Sequence, residues 1–253
     1  MRFSVLASGS SGNSMAFEHD GYALLLDAGL GLRDTLRRME AAGLGRSMPS
    51  AILLSHEHSD HCNGADVIAR RLGIPVLASA GTLAALSARL SRVPGRIELG
   101  NGSSIDLGPF RVSPFSLPHD ASDPSGYVIE WDGGRLGIAT DLGSWGHLVA
   151  RQLSGCSTVV LEFNHDVGML WNGSYPWPLK QRIASSTGHL SNSDAAMLID
   201  SIMHPGMENL VLAHLSRENN TPETAESVAR TVTGPGFDIF VGSQSAAMTA
   251  LEL

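Results

Sequence analysis

The most constraining stretch of this chain is a short apolar run, Ala51-Ile-Leu-Leu54, that ends directly in Ser55-His56-Glu57-His58-Ser59-Asp60-His61. An apolar run of this length reads as a strand buried on both faces, and such strands need other strands and helices to cover them. The segment after it places four metal-ligand side chains, His56, His58, Asp60 and His61, within six positions. In extended or loop backbone, alternate side chains share a side. His56, His58 and Asp60 are therefore expected to point together, with His61 entering from the next position. Imidazole nitrogens beside a hard carboxylate suit zinc, and one such group can serve two neighbouring ions. A lone histidine at a strand end is usually packing or surface, but four ligand types this close are not explained that way.

The remaining composition excludes several classes. Of the 253 residues, 43% are hydrophobic and 17% charged, which supplies one large core and argues against disorder. One α/β domain spanning residues 1–253 is expected. The net charge of −8 opposes a protein that coats nucleic acid over its whole surface, while leaving a local site open. No apolar run approaches the roughly 18 residues of a membrane span, and residues 3–7 are too short for a secretory leader, so a soluble cytoplasmic protein is expected. Two cysteines, Cys62 and Cys156, give neither a disulfide framework nor a CxxC pair.

Along the chain, residues 2–7 read as a strand entering the glycine-serine turn Ser8 to Ser14, which is not a Walker motif. Asp20-Gly21 joins residues 15–19 and 22–27 as a hairpin. Apolar periodicity predicts a helix over 32–42 with a Gly43 stop. Further helices are expected near 65–72, 82–90, 179–185, 194–203 and 222–232, the last with Thr221 as N-cap and Pro222 at its first position. Strands are expected at 75–78, around Ile97 and Ile105, and at 110–115, 127–131, 135–139, 158–161, 210–213 and 237–241. The pattern predicts two packed sheets with helices outside.

Three later segments each follow a strand-like run: Leu117-Pro-His-Asp120, Ala139-Thr-Asp-Leu142 and Leu212-Ala-His-Leu-Ser216. With the histidine cluster they resemble the metallo-β-lactamase superfamily over nearly the whole chain. The resemblance implies an αββα sandwich of two mixed β-sheets with flanking helices, and a two-metal site at one sheet edge. It implies one divalent ion on His56, His58 and His119, a second on Asp60, His61 and His214, and Asp141 between them. Zn2+ is the expected ion, with Mn2+ as the alternative. Read by themselves, Asp141 also fits a turn cap, and His119 beside Asp120 a surface pair. Paired ions acidify a bridging water and clamp the attacking and leaving oxygens, so hydrolysis is the expected outcome. Two such ions against two carboxylates leave an electropositive spot that favours anionic substrates.

The same centre cleaves β-lactams, lactones, thioesters and phosphodiesters in different relatives, so flanking segments must decide. The segment Pro118 to Tyr127 lacks the Gly-His-Thr-Pro-Gly pattern of glyoxalase II relatives. Segments 8–13, 161–170, 175–183 and 188–192 resemble the YycJ/WalJ subgroup, which implies 5′ to 3′ exonuclease-like cleavage of DNA by a metal-bridging hydroxide. His214-Leu-Ser also resembles the last metal motif of the ribonuclease Z group. There a Glu and a nearby His help protonate the leaving oxygen, and Glu162 and His189 hold comparable positions. Asp60 would orient or deprotonate the nucleophile. The competing reading makes His189 a cap for the helix beginning near Asn192 and Glu162 a surface residue on an edge strand.

Asn164 and His165 fit a substrate-facing loop, although Asn-His-Asp is also an ordinary turn. Lys180, Arg182 and Arg217 fit phosphate contacts or a solvated face. Trp171, Tyr175 and Trp177 fit base stacking or packing. DNA, mainly at strand ends, is the expected partner, with no membrane partner. The 73 residues from Asp141 to His214 leave no room for the additional domain of β-CASP nucleases. Two competitors stand: a hydrolase of a small anionic carboxyl ester, lactone or thioester, and a metal-binding regulatory protein without turnover. The latter would be marked by lost ligands, and none is lost.

Overall fold

The computed structural model of the chain describes residues 1–253. Six strands come first: β1 (Arg2–Ala7), β2 (Ser14–His19), β3 (Tyr22–Leu26), β4 (Pro49–Leu53), β5 (Val76–Ala78) and β6 (Arg96–Glu98). Seven follow: β7 (Ile105–Leu107), β8 (Phe110–Ser116), β9 (Ser125–Trp131), β10 (Gly134–Ala139), β11 (Thr158–Glu162), β12 (Asn209–Ala213) and β13 (Asp238–Val241). A short β14 (Leu251–Glu252) returns to pair with β1. The result is two seven-stranded sheets, ordered β14-β1-β2-β3-β4-β5-β6 and β13-β12-β11-β10-β9-β8-β7.

Each sheet changes character partway across. β1 to β3 are antiparallel and β3 to β6 parallel, whereas β7 to β10 are antiparallel and β10 to β13 parallel. Parallel strands bring their carboxyl ends to one edge, the place where open α/β sheets present ligand sites.

The core follows from the side-chain alternation of the central strands. In β11, Val160 packs between the sheets with Phe3, Leu53, Tyr127 and Val211, while Val159 and Leu161 face the outer layer. That layer contains α5 (His147–Leu153), α8 (Asn192–Ile202) and α9 (Pro222–Thr233), which contribute Val149, Leu198, Ile199 and Ala225. On the other outer face, α1 (Leu32–Ala41) and α3 (Ala65–Leu72) supply Met39, Ile68 and Ala69 against Leu25 and Ile52. The expected αββα sandwich is therefore present. No helix is long and apolar enough to cross a membrane.

Five shorter helices differ from the sequence expectation. Residues 59–62 form a helical turn, α2 (Ser59–Cys62), and α4 (Ala80–Ala85) stops well short of Leu90. Two helices carry no clear periodicity in the sequence: α5 and α6 (Val167–Asn172). The helix α7 (Trp177–Ile183) begins two residues before the expected position. Thr221 caps α9 as expected, its hydroxyl accepting from the Thr224 N–H at 3.1 Å.

Candidate metal centre

Most residues of the proposed centre stand at or just beyond the carboxyl end of a strand. Ser55 and His56 follow β4, His119 follows β8, Asp141 follows β10, Glu162 ends β11 and His214 follows β12. The two sheets are tied together at this edge, where the Ser125 N–H donates to the Ser55 carbonyl at 2.9 Å and the Tyr127 hydroxyl to the Leu54 carbonyl at 2.7 Å. The alternation expected through Asp60 stops at His58, because α2 turns the chain. That turn is pinned by the Asn13 N–H on the Asp60 carbonyl and the Ala28 N–H on the His61 carbonyl, at 2.8 and 2.7 Å. Asp60 and His61 therefore reach the centre from the first turn of a helix.

Four groups of side chains place ligand atoms within 4.8 Å of one another: His56, His58 and His119; Asp60, His61 and His214; His56, His61 and Asp141; and Asp141, Glu162, His189 and His214. The structure thus brings together all seven residues singled out as ligands. Asp141 and His214 hold left-handed backbone, φ +61° and +55°, a conformation that costs roughly 1–2 kcal/mol in a residue with a Cβ. Asp141 is 3% exposed and His119 7%, so neither the turn-cap nor the surface-pair reading describes them.

The imidazoles are held from behind. His56 Nδ1 lies 2.9 Å from Ser55 Oγ, His61 Nδ1 2.7 Å from Asp27 Oδ2, His119 Nδ1 3.1 Å from the Gly188 carbonyl, and His214 Nδ1 2.9 Å from Glu162 Oε1. Tying one ring nitrogen in this way fixes the tautomer and turns the other toward a metal. The front atoms show what fits there. His56 Nε2, Asp141 Oδ2 and His214 Nε2 are buried without a hydrogen bond, although buried polar atoms are nearly always paired. His58 Nδ1 faces His119 Nε2 at 3.4 Å. Ligand atoms on five imidazoles and two carboxylates converge here and match the donor set of divalent cations such as zinc.

The electrostatics agree. Burial pushes the pKa of His56 well below the ordinary value and lowers that of His119, which keeps both neutral with lone pairs available. For His61 and His214 burial acts the same way, but the nearby carboxylates together outweigh it: Asp141 and Asp27 at His61, and Asp141, Asp60 and Glu162 at His214. The pKa of His61 is raised well above normal, and that of His214 is pushed up to about 10. Positive charge is thus favoured where the carboxylates converge.

Behind His214 lies the residue that links the two halves of the site. Glu162 is fully buried on an interior strand, which removes its reading as an edge-strand surface residue. Its Oε1 accepts from His189 Nδ1 at 2.8 Å and His214 Nδ1 at 2.9 Å, and its Oε2 from the backbone N–H groups of Leu142 and Leu190 at 2.9 and 3.3 Å. Burial opposes the carboxylate, but the two imidazoles prevail and hold its pKa at about 2. For His189 burial is outweighed by Glu162, so its pKa is raised. His189 does not cap α8; that role belongs to Ser191, which accepts from the Asp194 N–H.

The centre opens into a recess of 320 Å³ walled by Asp60, His119, Asp141, His189, His214 and Arg182 among others. The Arg182 Nε and Nη2 both donate to Asp120 Oδ2, at 2.8 and 2.7 Å. Asn164 gives its Nδ2 to the His214 carbonyl at 2.8 Å. Three expectations do not hold for substrate contact. Lys180 is 8% exposed, and its ammonium donates to the carbonyls of Trp171 and Gly173 at 2.9 and 2.7 Å, so it is a strut between α6 and α7. His165 is buried and does not wall the metal recess, and Arg217 lines a separate recess beside α9. Asp166 caps α6 by accepting from the Met169 N–H.

Sequence reasoning missed Asp27, Asn13 and Gly29. Asp27 follows β3, which pairs in parallel with β4, and accepts from the Ser55 N–H at 2.8 Å as well as holding His61. An acid directly after a buried strand was the available signal. Asn13 Nδ2 reaches Asp60 Oδ2 at 3.2 Å and His61 Nε2 at 2.9 Å. A Cβ on Gly29 would stand 1.8 Å from the Asp60 carbonyl oxygen, and nothing in the local sequence indicates that approach.

The fold and this ligand set define a class of metal-dependent hydrolases. Residues 22–215 match the family described as the beta-lactamase superfamily domain, and the chain belongs to that superfamily, in its metallo-β-lactamase branch. Exodeoxyribonuclease YycJ of Bacillus anthracis is 36% identical over 242 residues, 94% of this chain and 92% of that one. Exodeoxyribonuclease WalJ of Streptococcus pneumoniae serotype 2 is 34% identical over 251 residues, covering 95% and 93%. Among solved structures, the metallo-β-lactamase fold protein YhfI from Bacillus subtilis shares the fold with a TM-score of 0.76 at 16% identity, covering 97% and 98% of the two chains.

Proposed function

We propose that the chain, acting as one domain over residues 1–253, is a two-metal phosphodiesterase that removes nucleotides from the ends of DNA, with zinc as its preferred ion and manganese as the substitute. The observation that carries this reading is the placement of His189. Its Nδ1 is fixed on Glu162 and lies 3.8 Å from Asp141 Oδ1, while the ring lines the metal recess. A proton donor held beside a two-cation centre suits a leaving group that is a poor one until protonated, as the alkoxide of a nucleoside is. The two full-length relatives are named as exodeoxyribonucleases.

His56, His58 and His119 would hold one cation and Asp60, His61 and His214 the other, with Asp141 between. Bound there, the ions supply Lewis acidity toward water and phosphate oxygen. Asp60, with its carboxylate at the mouth of the recess, orients the attacking water and accepts its proton. The water oxygen bonds to phosphorus, the opposite P–O bond breaks, and the His189 Nε2 proton passes to the departing oxygen. The products are a phosphomonoester and a free hydroxyl. Glu162 is a positioning residue that acts through His189 and His214. Arg182, with Nε and Nη2 fixed on Asp120, presents Nη1 to a phosphate at the rim.

The test is purified, metal-loaded protein on end-labelled DNA, a model phosphodiester and a panel of lactones and thioesters. Progressive shortening of the DNA is expected. Turnover of lactone or thioester alone would overturn the proposal, and no turnover of any substrate by a metal-loaded protein would leave a binding protein.

A further inference from the structure

A second recess, of 190 Å³, adjoins the metal recess and shares three of its walls: Ser10, His189 and His214. We infer that it holds the nucleobase of the departing nucleoside. This deepens the DNA reading above and rests on it. The recess is smaller than the roughly 300–1,000 Å³ of pockets for drug-sized ligands, which matches a single ring system. One wall is apolar, formed by Tyr175, Leu179 and Ile183 at every fourth position along and just before α7, all half-buried. Leu215 adds to the apolar lining, and the remaining lining residues, Ser10, Asn164, His189, His214 and Ser216, are polar. Asn164 has committed its Nδ2 to the His214 carbonyl, so its Oδ1 is left to accept from a ring N–H or amino group. An aromatic and aliphatic lining with a few directed polar groups is what a planar heterocycle with polar edges requires.

Position selects which base. His189 borders both recesses, and the oxygen it protonates belongs to the group that leaves. The ring attached to that oxygen through its sugar is therefore the one that reaches the second recess. Trp171 and Trp177 are not its platform. Their rings pack against each other at a tilt of 44°, centroids 5.1 Å apart, and neither lines the recess.

The test compares two end-labelled single-stranded oligonucleotides that differ only at the terminal nucleotide of the cleaved end, one carrying thymine and the other an abasic tetrahydrofuran residue. The metal-loaded wild-type chain is expected to favour the thymine end by about 5- to 150-fold in kcat/KM, the range one stacked base contributes. Tyr175→Ala, which empties part of the apolar wall, and Leu179→Trp, which fills the recess, should each move that ratio toward one with metal content retained. Trp177→Ala should leave the ratio as it is. Equal cleavage of both ends by the wild type, or a preference that survives both recess substitutions, would overturn the base pocket while DNA hydrolysis stands. Cleavage of neither oligonucleotide, with lactones still turned over, would instead overturn the DNA reading.

Discussion

Replacing Glu162 by Gln tests the way the site is held together, because the two side chains differ by little more than charge and hydrogen-bond polarity. All four contacts of Glu162 are accepted: two from imidazole Nδ1 atoms at 2.8 and 2.9 Å and two from backbone N–H groups at 2.9 and 3.3 Å. A glutamine amide accepts at one end and donates at the other. With its NH2 toward Leu142 and Leu190, two backbone donors lose their acceptor. With its NH2 toward the imidazoles, His214 must carry its proton on Nε2, the atom aimed at the metal. The first arrangement leaves two buried donors unpaired at about 1–3 kcal/mol each. The second costs about 10- to 100-fold in metal affinity, as loss of a partner behind a ligand does. The variant is expected either to lose about 2–6 kcal/mol of stability or to bind the cation on His214 at least ten-fold more weakly, and chemical denaturation beside metal titration shows which arrangement it chose. Unchanged metal affinity together with unchanged stability and rate would refute the role assigned to Glu162.

His189→Ala should keep full metal content and lose about 10²- to 10⁴-fold in kcat on DNA, with a much smaller loss on a p-nitrophenyl phosphodiester, whose leaving group needs no proton. Equal losses on both substrates would remove His189 as the acid. Lys180→Met should lower stability by about 3–6 kcal/mol through two lost charge-assisted bonds and leave KM for DNA unchanged; a raised KM in a stably folded variant would return Lys180 to the substrate. Gly29→Ala forces a methyl group into the Asp60 carbonyl, 1.8 Å away, and the Asn13 amide nitrogen, 2.6 Å away. Overpacking of this kind costs about 1–3 kcal/mol or more, and metal titration should show weakening at the cation that uses Asp60. Wild-type affinity there would mean that the backbone absorbs the methyl group elsewhere.

Two packed sheets with helices outside were readable from the order of strand-like and helical segments, and the αββα arrangement came with the family resemblance. Ala51 to Leu54 and Thr158 to Leu161 are short, apolar on both faces and followed by polar loops, and the ligand residues sit where such strands must end. The expected alternation failed at Asp60 because tertiary hydrogen bonds from Asn13 and Ala28 fold residues 59–62 into a helical turn. Lys180 was misread for a related reason: a cation near a presumed site looks like a phosphate ligand until the carbonyls of Trp171 and Gly173 are seen around it. Asp27 and Asn13 were hard to assign because their partners are dozens of residues away, although Asp27 stands directly after a buried strand and Asn13 lies in the glycine-serine turn. Glu162 was picked for proton transfer, and only the fold reveals that one of its oxygens serves two imidazoles at once.

The central claim, that these seven side chains hold two cations which the hydrolysis of DNA requires, is tested most directly by stripping the metal-loaded protein with a chelator and titrating zinc or manganese back while following release of end-labelled nucleotide. Activity should vanish on stripping and return to a plateau at two ions per chain, with His58→Ala and Asp141→Ala each unable to reach it. DNA cleavage that persists in the stripped protein, or a plateau reached with fewer than two ions, would contradict the claim.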